Sequence, residues 1–590
     1  MTYTNLFVLL QTWANTVQHI HMRLTSIPRR CYRNIADDAA FLSCSSNPSV
    51  ASAQLQRQLD ATSAWLKKHI TFALRRSDCS PVKLGVDSLP KTSCAKYLGF
   101  YLDRRLTWKC FITAGVSLNI VGHGCVIGFS AVLIPSLRRP ESHIHATPAE
   151  ESWIASVIGF ALIMGNITIT PLMDTLGRKK CHLLTIIPNM IGWIMLPLVN
   201  NVAGLIIARL LQGLAMGMIG PLGSIIIGEM TDPKNRGAFL TCVSLSLTTG
   251  VLTSHTLGSY FSWQCTAMIC SFVTFTSLIL VIYSPESPSW LISKERFEEG
   301  RIVFLRLRGE TVQQEEELEH MISAKKMVRT SSVEGVNLSF GRKFRRFCSY
   351  LRDASRKPEF YKPITVMFLT YTMFQFAGIN VISSYAMDII TQVVGPEANA
   401  KFWMVALDIE RFICNVLAIF LVRTMKRRFL LFSTGGLCIF CYLGKAYYVF
   451  AKQNNTLLFD GQWIPITLIA LYMFSLTVGI SAITFAIPGE IFPLQYRGLG
   501  GGLSILGLSL NFFIAVKCFP VLNGSIGLPL TYCLYAGIVL LCLTVIWFML
   551  PETKDRTLQE IEDIFKGIPP RNRRSAQTGD DHTNAAPLVK

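Results

Sequence analysis

The stretch GEMTDPKNRG at residues 228–237 recurs as GEIFPLQYRG at residues 489–498, and this repeat is the strongest indication of the architecture. In both copies a Glu is followed seven residues later by Arg-Gly, and each copy separates two long apolar runs. An interval of about 260 residues also relates Pro285-Glu286-Ser287 to Pro551-Glu552-Thr553. A long repeat in the same orientation predicts two similar helical bundles, related by an axis along the membrane normal.

The composition agrees with a membrane protein. Of the 590 residues, 51% are hydrophobic and 16% are charged, whereas an ordinary soluble protein has about 25% charged residues. The net charge is +19, and the mean hydropathy is +0.39. These values exclude a disordered or acidic scaffold and argue against a wholly soluble enzyme. The 17 cysteines are scattered, so we expect neither a disulfide framework nor a metal site.

Twelve apolar runs, the first of which begins at Phe111, are predicted to span a bilayer as helices, which requires about 20 residues each. They lie near 111–137, 152–172, 181–199, 203–228, 237–258, 265–284, 363–393, 400–422, 429–450, 463–488, 498–520 and 527–550. The short loops at one end of these runs carry ten Lys and Arg, against four at the other end. By the positive-inside rule, the more basic loops, the 285–362 segment and both termini are predicted to be cytoplasmic.

Charged and polar motifs stand in and between the apolar runs in a fixed order: Asp174-x-x-Gly177-Arg178-Lys179, Ala208-Arg209, Glu229 with Arg236-Gly237, Pro285-Glu286-Ser287-Pro288, Gln375-x-x-Gly378-Ile379-Asn380, Glu490 with Arg497-Gly498, and Pro551-Glu552-Thr553. This ordered set resembles the motifs of the sugar porters of the major facilitator superfamily, and the resemblance covers about residues 111–563. Within that family the chain looks most like the facilitated trehalose and hexose transporters of insects.

The resemblance implies an all-α polytopic membrane protein with twelve transmembrane helices in two six-helix bundles. It implies a sugar carrier of the plasma membrane with no enzyme activity and no cofactor, working in a lipid bilayer; a monomer is expected, although the sequence does not fix the oligomeric state. The predicted parts are a non-membrane appendage, two bundles joined by a cytoplasmic linker with short helices, and a cytoplasmic tail: 1–110, 111–284, 285–362, 363–550 and 551–590.

Charged side chains at the ends of spans are costly unless they are paired, which points to ion pairs at the cytoplasmic mouth. The resemblance implies gating ion pairs formed by Asp174, Arg178, Arg209, Glu229, Arg236, Arg427, Glu490 and Arg497. The second half departs from the family pattern, because Arg423 replaces the acid and Lys426 replaces the Gly. Topological anchoring by basic loops is the alternative role for these residues.

An uncharged sugar is recognised by side-chain amides and hydroxyls with an aromatic ring beside them. The predicted substrate-binding residues are Gln375, Asn380, Asn511, Phe485 and Arg411. Gln375 and Asn380 can border one cavity only if their helix is broken, which Gly378 permits. The alternative for such buried amides is hydrogen bonding between helices.

Several positions depart from the family's sugar site. Phe374 replaces a Gln, Phe485 stands where the family has Trp, and Arg411 stands where it commonly has Asn. A guanidinium inside a span should be paired, and Asp408 lies three residues before Arg411, within reach on a helix. We therefore expect an Asp408–Arg411 ion pair, the alternative being that Arg411 snorkels to water.

Proton-driven relatives carry an Asp in the first span, where this chain offers Ser130 and no acid. His123 lies in the same span, but a lone His there is more often a structural donor than a proton relay. We therefore expect passive, facilitated transport. A non-transporting sugar sensor or a decayed carrier is the alternative, motivated by Phe374, Phe485, Lys426 and Arg411.

The first hundred residues resemble a fragment of a non-LTR retrotransposon reverse transcriptase. Ile35-Ala36-Asp37-Asp38 looks like that family's metal-binding turn, and Lys96-Tyr97-Leu98-Gly99 continues the resemblance. Catalysis would need a third Asp on an earlier strand, and only a short stretch precedes Asp37. A nucleic-acid enzyme is therefore a remote alternative, no nucleic-acid partner is expected, and the segment is interpreted as a non-functional remnant.

Overall fold

The computed structural model describes residues 100–231, 233–308, 312–332, 340–457, 461–493, 495–554, 556 and 558–567, with a few short pieces before residue 100. Side chains before Trp108 and some within helices, including those of Arg236 and Arg497, lie outside the described part. Asp37 and Asp38 also lie outside it. The chain divides into two compact units, one of Met1–Phe111 with Arg306–Gly309 and one of Ile112–Leu305 with Glu310–Lys590.

The described residues of the first unit form three short strand pairs. Strand β1 (Phe72–Ala73) pairs in parallel with β4 (Lys91–Thr92). The other pairs are antiparallel: β2 (Lys83–Leu84) with β3 (Asp87–Ser88), and β5 (Cys94–Tyr97) with β6 (Phe100–Asp103).

The second unit is all-helical in its described residues. Its first half contains α1 (Arg104–Leu137, which begins in the first unit), α2 (Pro148–Leu176), α3 (Arg178–Met195), α4 (Val202–Met230), α5 (Pro233–Tyr260) and α6 (Trp263–Tyr283). Four shorter helices follow: α7 (Pro288–Ser293), α8 (Phe297–Arg308, which ends in the first unit), α9 (Val312–Ser332) and α10 (Phe340–Ser355).

The second half begins with a span broken into α11 (Pro358–Phe376), α12 (Ile379–Ser384) and α13 (Ala386–Val394). It continues with α14 (Ala400–Thr424), α15 (Arg427–Gln453), α16 (Trp463–Ser475), α17 (Ala482–Ala486), α18 (Pro488–Ile491), α19 (Arg497–Met549) and α20 (Leu558–Lys566). A π-helical turn, Leu476–Ser481, joins α16 to α17.

The predicted twelve spans are confirmed. Nine helical stretches in the described part of the chain are long and apolar enough to cross a bilayer. The last of them, within α19, contains two spans that meet at Gly527, whose φ of 79° interrupts the helix. The long but more polar helices α5 and α14 complete the set.

Local sequence explains where several helices begin and how closely they pack. Thr147 caps α2 with a capping box, because its side chain accepts from the Glu150 amide while the Glu150 carboxylate accepts from the Thr147 amide. Small residues bring α1 against α5: a Cβ added to Gly124 would lie 2.8 Å from the Cα of Gly250. Contacts between the two halves run mainly between α5 and α14 and between α2 and α19.

One pair of cysteines is an exception to the scattered pattern. Cys438 and Cys441 form a C-x-x-C pair on α15, which is a spacing that can indicate a redox or metal site. Both thiols are free and buried. They lie in the apolar core of the second half, where a thiol acts as a small hydrophobic group.

Candidate functional site

Charged clusters lie at one end of the spans, where α3 and α15 begin with their basic motifs. We call this end of the spans the basic face. Arg178 at the start of α3 forms a two-pronged ion pair with Glu229 at the end of α4, with Nη2–Oε1 at 2.8 Å and Nε–Oε2 at 3.0 Å. The Ser287 hydroxyl donates to Glu229 at 2.5 Å. Glu286 accepts from the backbone amides of Arg178 and Lys179, so its charge lies at the N-terminus of α3.

The same arrangement recurs in the second half. Arg427 at the start of α15 pairs with Glu490 at 3.1 Å, and the Thr553 hydroxyl donates to Glu490 at 2.5 Å. Glu552 accepts from the backbone amides of Arg427 and Arg428. The repeated motifs therefore build two equivalent clusters, and the departures from the family pattern just before Arg427 do not prevent the second one from forming.

Two other predicted gating residues, Asp174 and Arg209, behave differently. Among the described residues, the Asp174 carboxylate has no ion-pair partner, although the Asp174 carbonyl accepts from Trp290 Nε1 at 3.2 Å. Arg209 is fully buried inside the first half, not at the basic face, and this corrects its prediction as a gating ion pair. Its guanidinium donates to Ser130 Oγ at 2.5 Å and to Gln212 Oε1 at 3.0 Å. Its bonds in the described part of the chain are thus to neutral groups.

The seventh span is broken at the predicted glycine. Gly378 has a φ of 86°, which favours glycine, and it separates α11 from α12. Two tyrosines from α15 and α16 satisfy carbonyl groups at the break: Tyr442 Oη donates to Phe376 O at 3.2 Å, and Tyr472 Oη donates to Ala377 O at 2.6 Å. The break is thus held by neighbouring spans.

The break brings the two predicted amides together. Asn380 Nδ2 donates to Gln375 Oε1 at 2.7 Å, and both residues are buried. Phe374, which precedes Gln375, packs edge-to-face against Phe485 with ring centroids 5.4 Å apart. Asn511 is not part of this group, because its Nδ2 donates to the carbonyl of residue 507 in its own helix.

Arg411 is buried near the middle of α14, so it does not snorkel to water. Its Nη1 donates to Ser383 Oγ at 2.7 Å, and among the described residues its Nε has no hydrogen-bond partner. The predicted Asp408–Arg411 ion pair is wrong, since Asp408 Oδ2 contacts His255 Nδ1 at 2.5 Å instead. The helix places Asp408 and Arg411 on one face, but the Asp408 carboxylate contacts His255 of α5 and not Arg411.

Asp408, Arg411, His255 and Ser383 surround a small cavity together with apolar side chains. Its volume is about 10 Å³, which is space for roughly one water molecule. A sugar does not fit this space without movement of the surrounding helices. The arrangement of the polar groups is therefore that of a closed state at this depth.

Sequence reasoning missed several polar contacts between the two halves. Asn415, one turn after Arg411, accepts from Ser244 Oγ at 3.1 Å and donates to Thr248 Oγ1 at 2.8 Å. Another amide, that of Asn166, donates through Nδ2 to Ser509 Oγ at 2.9 Å. A polar residue in an apolar span was the only available signal, and it does not identify the partner.

A further contact between the halves lies at the end of the spans away from the basic face, which we call the opposite face. Arg138, just after α1, forms ion pairs with Glu151 at 2.6 Å and with Asp388 of α13 at 3.0 Å. Lys401 Nζ donates to Ser259 O at 3.2 Å near the same end. The two halves are therefore joined by charged groups at the opposite face.

Comparisons with known proteins agree with this architecture. Residues 109–565 match the family described as "Sugar (and other) transporter". The chain is 28% identical over 458 residues to the facilitated trehalose transporter of Bombyx mori, covering 77% of this chain and 86% of that one. It is 25% identical to the corresponding transporter of Apis mellifera ligustica, covering 80% and 90% of the two chains.

Solved structures with the same fold include the xylose transporter XylE from E. coli. Its partially occluded inward open conformation has a TM-score of 0.60 at 17% identity, covering 77% of this chain and 100% of that one. The proton:xylose symporter bound to 6-bromo-6-deoxy-D-glucose has a TM-score of 0.59 at 16% identity, covering 78% and 100%. With the family match over most of its length and two halves built on the same Arg–Glu cluster, this chain belongs to the sugar transporter family of the major facilitator fold.

Proposed function

We propose that this protein carries an uncharged sugar, a hexose or trehalose, across the plasma membrane by facilitated alternating access. The observation that carries the proposal is the duplicated Arg–Glu cluster at the basic face, made by Arg178 with Glu229 and by Arg427 with Glu490. Each cluster fixes the relative positions of helices within one half, so that each half can move as a unit. The trehalose relatives support the substrate class.

The proposed orientation places the basic face and both termini in the cytoplasm, in accord with the positive-inside rule. The contacts of Arg138 and Lys401 then lie on the outside and hold the outer entrance closed.

The proposed sugar contacts lie deeper between the two halves. Gln375, Asn380, Phe485 and Arg411 would contact the sugar after the bundles rearrange, because the present cavity beside Arg411 is too small for it. Asn511 would join them only by leaving the hydrogen bond that it donates within its own helix.

The residues of the first span support the proposal that transport is passive. Arg209 contacts the Ser130 hydroxyl, where proton-driven relatives have an acid. A hydroxyl does not titrate in the physiological range, so this position cannot exchange a proton during the cycle. Sugar movement is therefore proposed to follow the sugar gradient alone.

A sugar sensor or a decayed carrier is the second candidate. It is favoured by the cavity of about 10 Å³ beside Arg411 and by the mutual hydrogen bond of Gln375 and Asn380. Both features leave little polar surface free for a ligand. A sensor would bind sugar without moving it.

Uptake in proteoliposomes separates the two candidates. Labelled trehalose, glucose and fructose are offered to vesicles that contain the full chain, with empty vesicles as the control. Equilibration of at least one sugar, with no acceleration by an imposed proton gradient, is expected for a facilitated carrier. Saturable sugar binding without uptake would contradict the proposal and support a sensor.

A further inference from the structure

A histidine and an aspartate from different halves of the protein meet inside the membrane part. His255 lies on α5 and Asp408 lies on α14, and His255 Nδ1 is 2.5 Å from Asp408 Oδ2. Both side chains are almost completely buried. The pair therefore joins the two halves where their relative movement would separate it.

The second ring nitrogen of His255 also faces acceptors. His255 Nε2 is 3.1 Å from Gly128 O on α1 and 3.1 Å from Ser383 O on α12. Carbonyl oxygens only accept hydrogen bonds, so these two contacts are hydrogen bonds only in a ring whose Nε2 carries a proton. A neutral imidazole carries one proton only, which leaves Nδ1 with its lone pair toward Asp408.

An ionised Asp408 and an unprotonated Nδ1 would repel each other at this distance. One more proton removes the conflict, either as an imidazolium beside a carboxylate or as a neutral imidazole beside a carboxylic acid. Both arrangements satisfy every contact of the His255 ring nitrogens. The closed geometry is thus complete only when the pair holds that proton.

We propose that His255 and Asp408 form a proton-binding site shared by the two halves, and that its proton stabilises the closure of the opposite face. Movement of the halves apart separates the residues, exposes them to water and releases the proton. This goes beyond the proposed sugar transport, because it describes a proton-linked conformational equilibrium and requires no sugar. It also requires no net proton transport if the proton returns from the same side.

Neighbouring charged groups set the conditions for this site. Arg411 on α14 lines the same cavity and is connected to the pair through Ser383, whose hydroxyl accepts from Arg411 and whose carbonyl faces His255. Asp408 itself and Tyr472 on α16 both lie within electrostatic reach of Arg411. The Tyr472 hydroxyl donates to a backbone carbonyl at the break in the seventh span. The residues of α1, α12 and α13 around the pair, within the described part of the chain, contribute carbonyl, hydroxyl and apolar groups.

The direction of the pH effect follows from linkage. A closure that the shared proton stabilises is favoured at low pH and lost as pH rises. For one linked proton, the ratio of closed to open molecules changes by at most about 10-fold per pH unit. The test needs a readout of conformation rather than of uptake.

Distances across the opposite face provide this readout. Fluorophores are attached to non-canonical amino acids at Glu141 and Glu397, which are exposed in the loops of the first and second halves. Single-molecule energy transfer is recorded for the full chain in nanodiscs, without sugar, between about pH 6 and about pH 9. The short distance should dominate at low pH, and a longer distance should gain population as pH rises.

Variants assign the effect to the pair. Asp408→Asn imitates the protonated acid, so it should stay closed throughout the pH range. His255→Gln can still donate to Asp408 and should lose the pH dependence. His123→Gln is the matched control, because His123 is a buried histidine in α1 that faces no acid among the described residues.

The outcomes are distinct. A distance that does not respond to pH in the unaltered protein, or a full response retained in both His255→Gln and Asp408→Asn, would overturn the proposal. If one variant does not fold, as judged by size-exclusion chromatography, the other decides. A failure of sugar uptake with an intact distance response would reject the proposed function and leave the proton site standing.

Discussion

At the scale of single residues, the amides of Gln375 and Asn380 show how much the state of the molecule affects the interpretation of a site. They are bonded to each other at 2.7 Å, so this donor and this acceptor satisfy each other in the closed geometry. Sugar hydroxyls would replace this bond with similar donors and acceptors. A bound sugar would therefore leave few amide donors and acceptors without a hydrogen-bond partner.

This exchange predicts the effect of removing either amide. Gln375→Ala and Asn380→Ala should each weaken the apparent affinity for sugar by roughly 2- to 10-fold, since a hydrogen bond contributes about 0.5–1.5 kcal/mol. Uptake against sugar concentration measures this, with surface expression as the control. Unchanged affinity in both variants would mean that the sugar binds elsewhere.

Asp408 shows what sequence reasoning could not supply. Helix periodicity correctly placed Asp408 and Arg411 on one face of α14, and both line the same cavity. The partner of the carboxylate is nevertheless His255, which is far away in the chain. A pattern within one helix predicts which side chains share a face, but it does not predict which residue of another helix reaches them.

At the scale of elements, the break in the seventh span could be predicted and its support could not. Gly378 lies between two amides that only a broken helix can bring together, and the break is present. Tyr442 and Tyr472, which bond the freed carbonyls, come from spans whose own sequence gives no sign of this role. These partners of the freed carbonyls are set by how the helices pack, which the local sequence does not show.

The break predicts a strong effect of a small substitution. Gly378→Ala would hold alanine at a φ of 86° and place its Cβ 2.5 Å from the hydroxyls of both Tyr442 and Tyr472. The left-handed backbone alone costs about 1–2 kcal/mol, so the thermal unfolding temperature should fall clearly. Thermal unfolding in detergent measures the change.

Gly436→Ala is the matched control for this substitution. Gly436 lies in the regular helix α15, and a Cβ added there meets no heavy atom within 4 Å among the described residues. Its unfolding temperature should stay the same or rise, because alanine favours helix. Equal stability of the two variants would show that the break is not needed for the fold.

At the scale of the whole molecule, the repeat explains why the sequence predicted so much of the architecture. Arg178 with Glu229 and Arg427 with Glu490 form equivalent ion pairs in the two halves. A motif that occurs twice in the sequence therefore predicts two bundles of the same construction. Hydropathy predicted the spans because an apolar run inside lipid must satisfy its backbone hydrogen bonds internally, as a helix does. Contacts between the halves depend on the conformational state and were not predictable in this way.

The same argument leads to a prediction about the N-terminal segment. Apart from the first residues of α1, all twelve spans lie in the second unit, which begins at Ile112. Both Arg–Glu clusters and the lining of the cavity beside Arg411 lie in the same unit. A truncated chain that begins with an added Met before Lys109 should therefore reach the plasma membrane and carry sugar like the full chain. Surface labelling and uptake of labelled sugar, normalised to the amount of protein at the surface, measure both properties. A truncated chain that reaches the surface but carries no sugar would show that residues 1–108 take part in transport, and loss of surface expression would show that they are needed for folding or delivery.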